Sequence, residues 1–475
     1  MNAPRPLRGL LAASVATSLL SGCMFGPDYQ RPDAGLPASY EAGTAAAASP
    51  AVERGWWKLF EDDTLNKLVA EALAGNANIA LAAARIDQAD AYAREVESAW
   101  FPPVDANLGS TRARASSVNP SRSATAPLQT KTLTGNLSTS FELDFWGKLR
   151  RAGESARAQA LASRAARDTV ELTLVSQVTS AYLNLRSLDA QIAVSRTTQQ
   201  AREEALRIAQ ARAERGLSSD LDLQQALGAA AAIRAQTADL QRQRAAAEHQ
   251  LGLLTGNLGL QIAPADLRTL SAPPLPPAGL PSELLDARPD LRQAEEQLHA
   301  ANAMVGVAKG ALFPTIMLTA AYGSQSPALA SLFTSPASTW NLGLALTYSI
   351  FDSGKRQARL DQASAQQQQA LATYIQSVRT AFTEVRDALD AVQQYALSTK
   401  ALQTQMQATQ RTLDLAEKRY RAGYSPYLEV LDAQRSSNDS TLAYLRARQS
   451  QLAATVSLYA ALGGGWQPQA STAEK

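Results

Sequence analysis

Between Asn341 and Gly423 the chain changes its hydrophobic period once, and no other feature limits the possible folds as much. From Leu342 to Ile350 large side chains take alternate positions (Leu342, Leu344, Leu346, Tyr348, Ile350), with Gly343, Ala345, Thr347 and Ser349 between them. That is the pattern of a strand with two unlike faces. After Phe351-Asp352-Ser353-Gly354-Lys355 the steps become four and three, through Leu371, Ile375, Val378, Phe382, Val385, Leu389 and Val392, which is a heptad helix seam. No Gly or Pro interrupts the 68 residues from Lys355 to Ala422, so one helix about 100 Å long is expected at ~1.5 Å per residue. A compact soluble domain has no room for it.

The unit occurs twice. Leu133, Leu137, Phe141, Leu143 and Phe145 share one strand face, and Thr132, Thr134, Asn136, Ser138, Ser140, Glu142 and Asp144 share the other. Phe145-Trp146-Gly147-Lys148 then opens a helical run, expected to break only at Gly153, that reaches Gly216 with near-heptad apolar steps (Val170, Leu174, Val178, Ala181, Leu185, Leu188, Ile192). The chain is a tandem duplication of strand plus giant helix. Each copy also has a shorter helix and a first strand. In copy one a helix from Asp63-Thr64 pauses at Gly75-Asn76 and runs to Trp100, and a strand follows Phe101-Pro102; in copy two a helix from Arg288-Pro289-Asp290-Leu291 reaches Leu312, and a strand follows Phe313-Pro314. Gly216 and Gly423, each after a basic last turn, stop the long helices, which then turn back as hairpins.

The expected organisation is a segment 1–22, an arm 23–62, a first repeat 63–262 with strands near 102–112 and 131–145 and a tip near 216, a Pro-rich linker 263–283, a second repeat 284–463 with strands near 314–323 and 340–351 and a tip near 423, and a tail 464–475. The motifs Phe101-Pro102 and Phe313-Pro314 match at an offset of 212, Ala181-Tyr182 and Ala381-Phe382 at 200, and Gly216 and Gly423 at 207. The last two differ by seven, so the second long helix is expected to have gained one heptad.

Arg5 and Arg8 precede an apolar run from Leu10 to Leu20 that is too short to span a bilayer and has the build of a signal peptide. It ends in Leu20-Ser21-Gly22-Cys23, which is similar to a bacterial lipoprotein box. Cys23 is the only cysteine, which excludes disulfides and cysteine-based metal sites and is accounted for if it carries lipid. The net charge of +2 on 475 residues gives no reason to expect a nucleic acid partner.

Four strands of about ten residues suit a membrane barrel in length and alternation. Four cannot close one, and an open edge in lipid leaves backbone groups unpaired at several kcal/mol each. The sheet therefore requires oligomerisation: two chains give eight strands, and three give twelve and a lumen.

The lipoprotein box, Gly26-Pro27-Asp28-Tyr29 with Arg31-Pro32, Trp56-Trp57-Lys58-Leu59-Phe60, Ala287-Arg288-Pro289-Asp290-Leu291, Ala311-Leu312-Phe313-Pro314, and Tyr420-Arg421-Ala422-Gly423 with Leu431-Asp432-Ala433-Gln434 together resemble the outer membrane factor family, in its lipoprotein branch serving resistance-nodulation-division efflux systems. The resemblance covers essentially the whole mature chain. It implies an α+β membrane protein of the cell outer membrane: a homotrimer whose twelve-stranded transmembrane β-barrel, four strands per chain, continues into a long periplasmic α-helical barrel with a mixed belt around it. It also implies a passive duct for drugs or other small toxic compounds, with a periplasmic adaptor and an inner membrane resistance-nodulation-division pump as partners and Cys23 in outer membrane lipid. A type I protein secretion duct is the alternative within that class. A lipid-anchored coiled-coil spacer is the alternative outside it, although a spacer has no use for four strands of lipid length.

Two sets of site residues follow. Arg212, Gly216, Leu217 and Ser218, with Arg419, Gly423, Tyr424 and Ser425, lie at the hairpin tips, where an adaptor would dock. Glu429 and Asp432, three apart on one helix face, match the positions of acidic residues in the family's periplasmic constriction, with Tyr420 in the closing network and Asp222 as the first-copy counterpart. Ser425 departs from relatives that carry an arginine there. His249 and His299 are in no ligand-spaced pair and read as helix-surface residues, and Gly463-Gly464-Gly465 reads as a helix terminator. No nucleophile, base and orienter arrangement, metal set or cofactor site is legible, so the chain reads as a non-enzyme.

Overall fold

The computed structural model describes residues 26–40, 52–118, 127–276, 279 and 281–466. In chain order its α-helices are α1 (Asp63–Gly75), α2 (Ala77–Ser98), α3 (Lys148–Glu214), α4 (Asp220–Thr255), α5 (Leu284–Ala287), α6 (Pro289–Gly310), α7 (Lys355–Arg421) and α8 (Tyr427–Ala461), and its strands are β1 (Asp105–Arg114), β2 (Gln129–Glu142), β3 (Thr315–Ser326) and β4 (Ser338–Thr347). Cys23 and residues 1–22 lie outside the described residues.

Three sequence expectations need correction. The long helices α3 and α7 both have 67 residues, so the second copy has not gained a heptad in length. Both ends match at an offset of 207, and the Ala181-Tyr182 and Ala381-Phe382 motif lies 33 residues into α3 but 26 into α7. The seven-residue difference is thus internal. Gly153 does not interrupt α3; it makes room for a neighbour, because a Cβ there would come within 2.5 Å of the Trp100 ring, whose indole N–H donates to the Leu149 carbonyl at 3.1 Å. The first strand also starts later than its Phe-Pro motif suggests, β1 at Asp105, since neither Pro102 nor Pro103 has an N–H to give a ladder.

Residue contacts divide the chain into two compact units. The first (1–32, 85–163 and 294–374) holds one antiparallel sheet in the order β1-β2-β3-β4. The strands pair in chain sequence, so the second copy's hairpin adds to the first through β2 and β3, with Leu137 opposite Tyr322 and Phe141 opposite Leu318. Among the described residues both outer strands, β1 and β4, keep one edge without a strand partner.

The second unit (33–84, 164–293 and 375–475) contains the main core. Tyr182, Leu183, Leu185, Leu251, Leu267, Leu445 and Leu452 are fully buried in it, and Trp56 stacks on Tyr459 with ring centroids 5.2 Å apart. The first part of the connection between repeats, from Ile262 to Leu267, is pinned. Leu267 sits in this core, while Arg186 and Arg244 donate to the carbonyls of Ala263 and Ile262 at 2.9 and 2.5 Å. Asp189 accepts from Arg244 at 2.9 Å and from the Ala265 amide at 3.2 Å. Charges this deep persist only when paired and fully hydrogen-bonded. Tyr182 completes the set, donating to Asp62 at 2.7 Å while its oxygen accepts from Arg186. Asp62 in turn caps α1 through the Leu65 amide.

Candidate functional site

Directly opposed residues in an antiparallel sheet lie on the same side, so the strand register defines two faces. One face carries Ala106, Leu137, Tyr322 and Trp340 in one row, Thr139, Ala320 and Leu342 in the next, then Phe141, Leu318 and Leu344, then Ile316 and Leu346. The other is small and polar, with Asn107, Thr111, Thr134, Asn136, Ser138, Ser140, Thr319, Asn341 and Gly343. On the apolar face Leu108, Trp340, Leu342, Leu344 and Leu346 are exposed, Leu108 by 84% and Trp340 by 78%. A contiguous apolar sheet face marks an interaction with lipid or protein. Among the described residues no helix is long and apolar enough to cross a membrane.

The hairpin tips are built twice from one motif. The Leu217 amide donates to the Arg212 carbonyl at 2.8 Å and the Gly216 amide to Ala213 at 2.9 Å; at the other tip Tyr424 donates to Arg419 at 2.9 Å and Gly423 to Tyr420 at 3.0 Å. This is the Schellman arrangement, which needs a left-handed residue after the helix. Gly216 and Gly423 supply it at φ 67° and 79°. The residue after each glycine is large and points into solvent, Leu217 72% and Tyr424 81% exposed. The hydroxyls of Ser218 and Ser425 are enclosed at equivalent places.

The structure brings together some of the residues expected at a constriction and separates others. Arg212 donates to the Tyr420 hydroxyl at 3.1 Å, and Tyr420 packs against Tyr427 at 5.5 Å. Arg212, Ser218, Asp222, Tyr420, Tyr427 and Val430 line one cavity of about 330 Å³. Burial pushes the Tyr427 hydroxyl pKa upward. Glu429 and Asp432 lie outside this cavity and are exposed; Glu429 pairs with Arg419 at 3.4 Å and Asp432 with Arg435 at 3.7 Å. Arg419 thus supplies a cation to Glu429 although position 425 is a serine.

Sequence reasoning missed a third constellation, which explains the Gly-Pro-Asp-Tyr motif. Gly26, at φ 131°, leaves no room for a side chain, since a Cβ would come within 2.7 Å of Gly306. The Pro27 carbonyl accepts from Asn302 at 2.8 Å, and Asp28 pairs with Arg151 at 2.7 Å. Tyr29 stacks on His299 at 4.8 Å, and Arg31 grips Glu295 with contacts of 2.8 and 2.9 Å. His299 is therefore no ordinary surface residue. It is half-buried between Glu154 at 3.1 Å and Glu296 at 3.6 Å. Its pKa is raised, first by the hydrogen bond to Glu296, against the opposing effect of burial, and further by Glu154. His249, by contrast, is exposed on α4. The only local hint was a charged pair, Glu295-Glu296, one helical turn before a histidine.

The Ala287-Arg288-Pro289-Asp290-Leu291 motif is similarly specific. Pro289 opens α6, where its missing N–H costs nothing, and Leu291 is fully buried. Arg288 is 8% exposed and pairs with Asp290 and Glu384 at 2.7 Å each. It also donates to the Ala461 carbonyl at 3.0 Å, and so ties the start of α6 to α7 and to the end of α8. The Gly463-Gly464-Gly465 run ends α8 in left-handed backbone, and these glycines also pack closely, since a Cβ on Gly463 would come within 2.0 Å of the Ala287 carbonyl oxygen.

An apolar sheet face, two duplicated helical hairpins and paired tips define a class of membrane-embedded channel. The model of the outer membrane efflux protein family matches residues 68–257 and 280–464, and the chain belongs to that family. The chain is 35% identical over 479 residues to the probable efflux pump outer membrane protein TtgC of Pseudomonas putida, covering 98% of both chains. It is also 35% identical over 463 residues to the cation efflux system protein CusC of Escherichia coli, covering 96% of this chain and 99% of that one. Among solved structures, the open state of the Neisseria gonorrhoeae MtrE outer membrane channel matches with a TM-score of 0.83 at 31% identity, over 93% of this chain and 98% of that one.

Proposed function

We propose that the chain is the outer membrane duct of a tripartite efflux pump, through which small toxic compounds leave the cell while a partner pump supplies the energy. The observation that carries this is a four-stranded sheet with an exposed apolar face and unpaired edges at β1 and β4. Unpaired edges are untenable in lipid. Three copies joined β1 to β4 close twelve strands around the small, polar face and leave a passage, with no catalytic step. Cys23 carries the lipid that secures the arm, and the Gly26 to Arg31 clasp fixes that arm to α3 and α6. The tips around Leu217 and Tyr424 receive a periplasmic adaptor, which links the duct to a resistance-nodulation-division pump. Tyr420, Asp222, Glu429 and Asp432 form the constriction.

Deleting the gene should sensitise the host to a panel of drugs, solvents and metal ions, and the detergent-extracted product should have three times the chain mass. A folded monomer or dimer, or unchanged sensitivity to every compound while the partner pump is expressed, would overturn the reading.

A further inference from the structure

The face that carries the apolar rows does not stay apolar along β1 and β2. Beyond Leu108 and Ser110 on the same side of β1 come Arg112 and Arg114, and Lys131 of β2 lies directly opposite Arg112. All three are exposed, and none makes an ion pair or side-chain hydrogen bond with another described residue. Like charges placed directly opposite each other destabilise a strand pair, so the arrangement calls for a counter-anion from elsewhere. The chain supplies none nearby: from Ala106 to Phe141 there is no Asp or Glu. The second hairpin, Thr315 to Thr347, has no charged residue at all. In the closed ring the strand next to β1 is a neighbour's β4, which therefore brings no acid either; this step rests on the closure proposed above.

Position specifies the anion. Arg112 and Arg114 are four and six residues past Leu108, about 14 and 20 Å along the strand at ~3.4 Å per residue. They lie at the loop end of the sheet, away from the end where α2, α3, α6 and α7 join it. A cationic group just beyond a lipid-facing apolar band, on the same side of the sheet, meets headgroups rather than the lumen. Arginine and lysine bind phosphate oxygens with charge-assisted hydrogen bonds. We infer that Arg112, Arg114 and Lys131 form a docking site for the phosphate groups of the glycolipid leaflet around the loop end of the barrel, one site per chain.

Full-length protein in detergent can be titrated with bisphosphorylated lipid A, with the same lipid stripped of its phosphates and with inorganic phosphate, bound lipid being counted by native mass spectrometry. Wild type should prefer the phosphorylated lipid by on the order of a hundredfold, from the usual contribution of three cations at an anionic surface. Arg112→Gln with Arg114→Gln and Lys131→Gln should bind both lipids equally weakly, and inorganic phosphate in millimolar excess should not displace the lipid. No preference in wild type, a preference kept in the triple variant, or displacement by free phosphate would overturn the site. If the triple variant does not fold, Arg114→Gln alone and the salt dependence of wild-type preference decide instead, and a preference insensitive to both refutes the proposal. The same spectra report oligomeric mass, so failure of the closure reading shows separately from failure of the lipid site.

Discussion

Replacing Arg288 by methionine tests whether the motif around it acts as a structural tie. The guanidinium is almost fully buried and bonds Asp290, Glu384 and the Ala461 carbonyl. Burial alone would lower its pKa, yet the carboxylates of Asp290 and Glu384 raise it overall. Methionine keeps much of the volume and removes the charge. Breaking a buried pair from one side costs about 3–5 kcal/mol. The side chains of Asp290 and Glu384 are 36% and 50% exposed, so water recovers part of that, leaving about 2–3 kcal/mol. The loss should be local, since the bonds converge on the first turn of α6, the last of α8 and the turn of α7 around Glu384. Hydrogen exchange measured on peptides covering residues 286–295 and 458–465 should quicken by about 30- to 160-fold, while exchange in β2 and β3 stays as in wild type. An acceleration below about threefold at both places would mean that Arg288 is held by the ties without holding anything in return.

His299 should make the arm pH-dependent: because its folded pKa lies above 6.5, its contribution is complete below that value and fades as pH rises through the folded pKa. Thermal stability should therefore decline as pH rises above about 6.5 in wild type and more weakly in His299→Gln, and identical profiles would remove His299 from the clasp. Cys23→Ser should abolish acyl labelling and lower the amount of protein in the outer membrane; unchanged labelling would assign the lipid elsewhere. Leu217→Glu with Tyr424→Glu should leave oligomeric mass intact and cost efflux, since both side chains are exposed and support no core, and undiminished drug resistance would exclude docking there. Glu429→Ala with Asp432→Ala should weaken cation block of single-channel current and raise conductance, whereas wild-type block would place the constriction at other residues.

What the sequence disclosed was local periodicity. Strand alternation at Leu342 to Leu346, the heptad steps of α7 and the glycines after Arg212 and Arg419 each follow from neighbours within a few residues. The first Phe-Pro motif misled by a few positions, because a proline ends one pattern without starting the next ladder. Long-range partnerships were not legible. The β2–β3 pairing joins residues nearly two hundred apart, and the clasp sets Asp28 against Arg151 and Arg31 against Glu295, charges that look like any others on a helix. The same limit applies at the residues proposed for the constriction. Spacing put Glu429 and Asp432 on one face, but only the folded tip shows Arg419 reaching Glu429.

The equal length of α3 and α7 limits how this gene can change. A heptad inserted in one long helix alone would keep its seam in phase yet carry its tip about 10 Å past the other, at ~1.5 Å per residue. The two halves are free to drift apart in sequence but not in length, so an insertion in one survives only with a matching insertion in its twin or a compensating deletion nearby. The internal shift of the Ala-aromatic motif, seven residues nearer the start of α7 than of α3 and balanced before the tip, has the form such a compensated pair would leave. Anyone building hybrids between members of this family should exchange whole hairpins, or cut both at matching distances from the glycine turns.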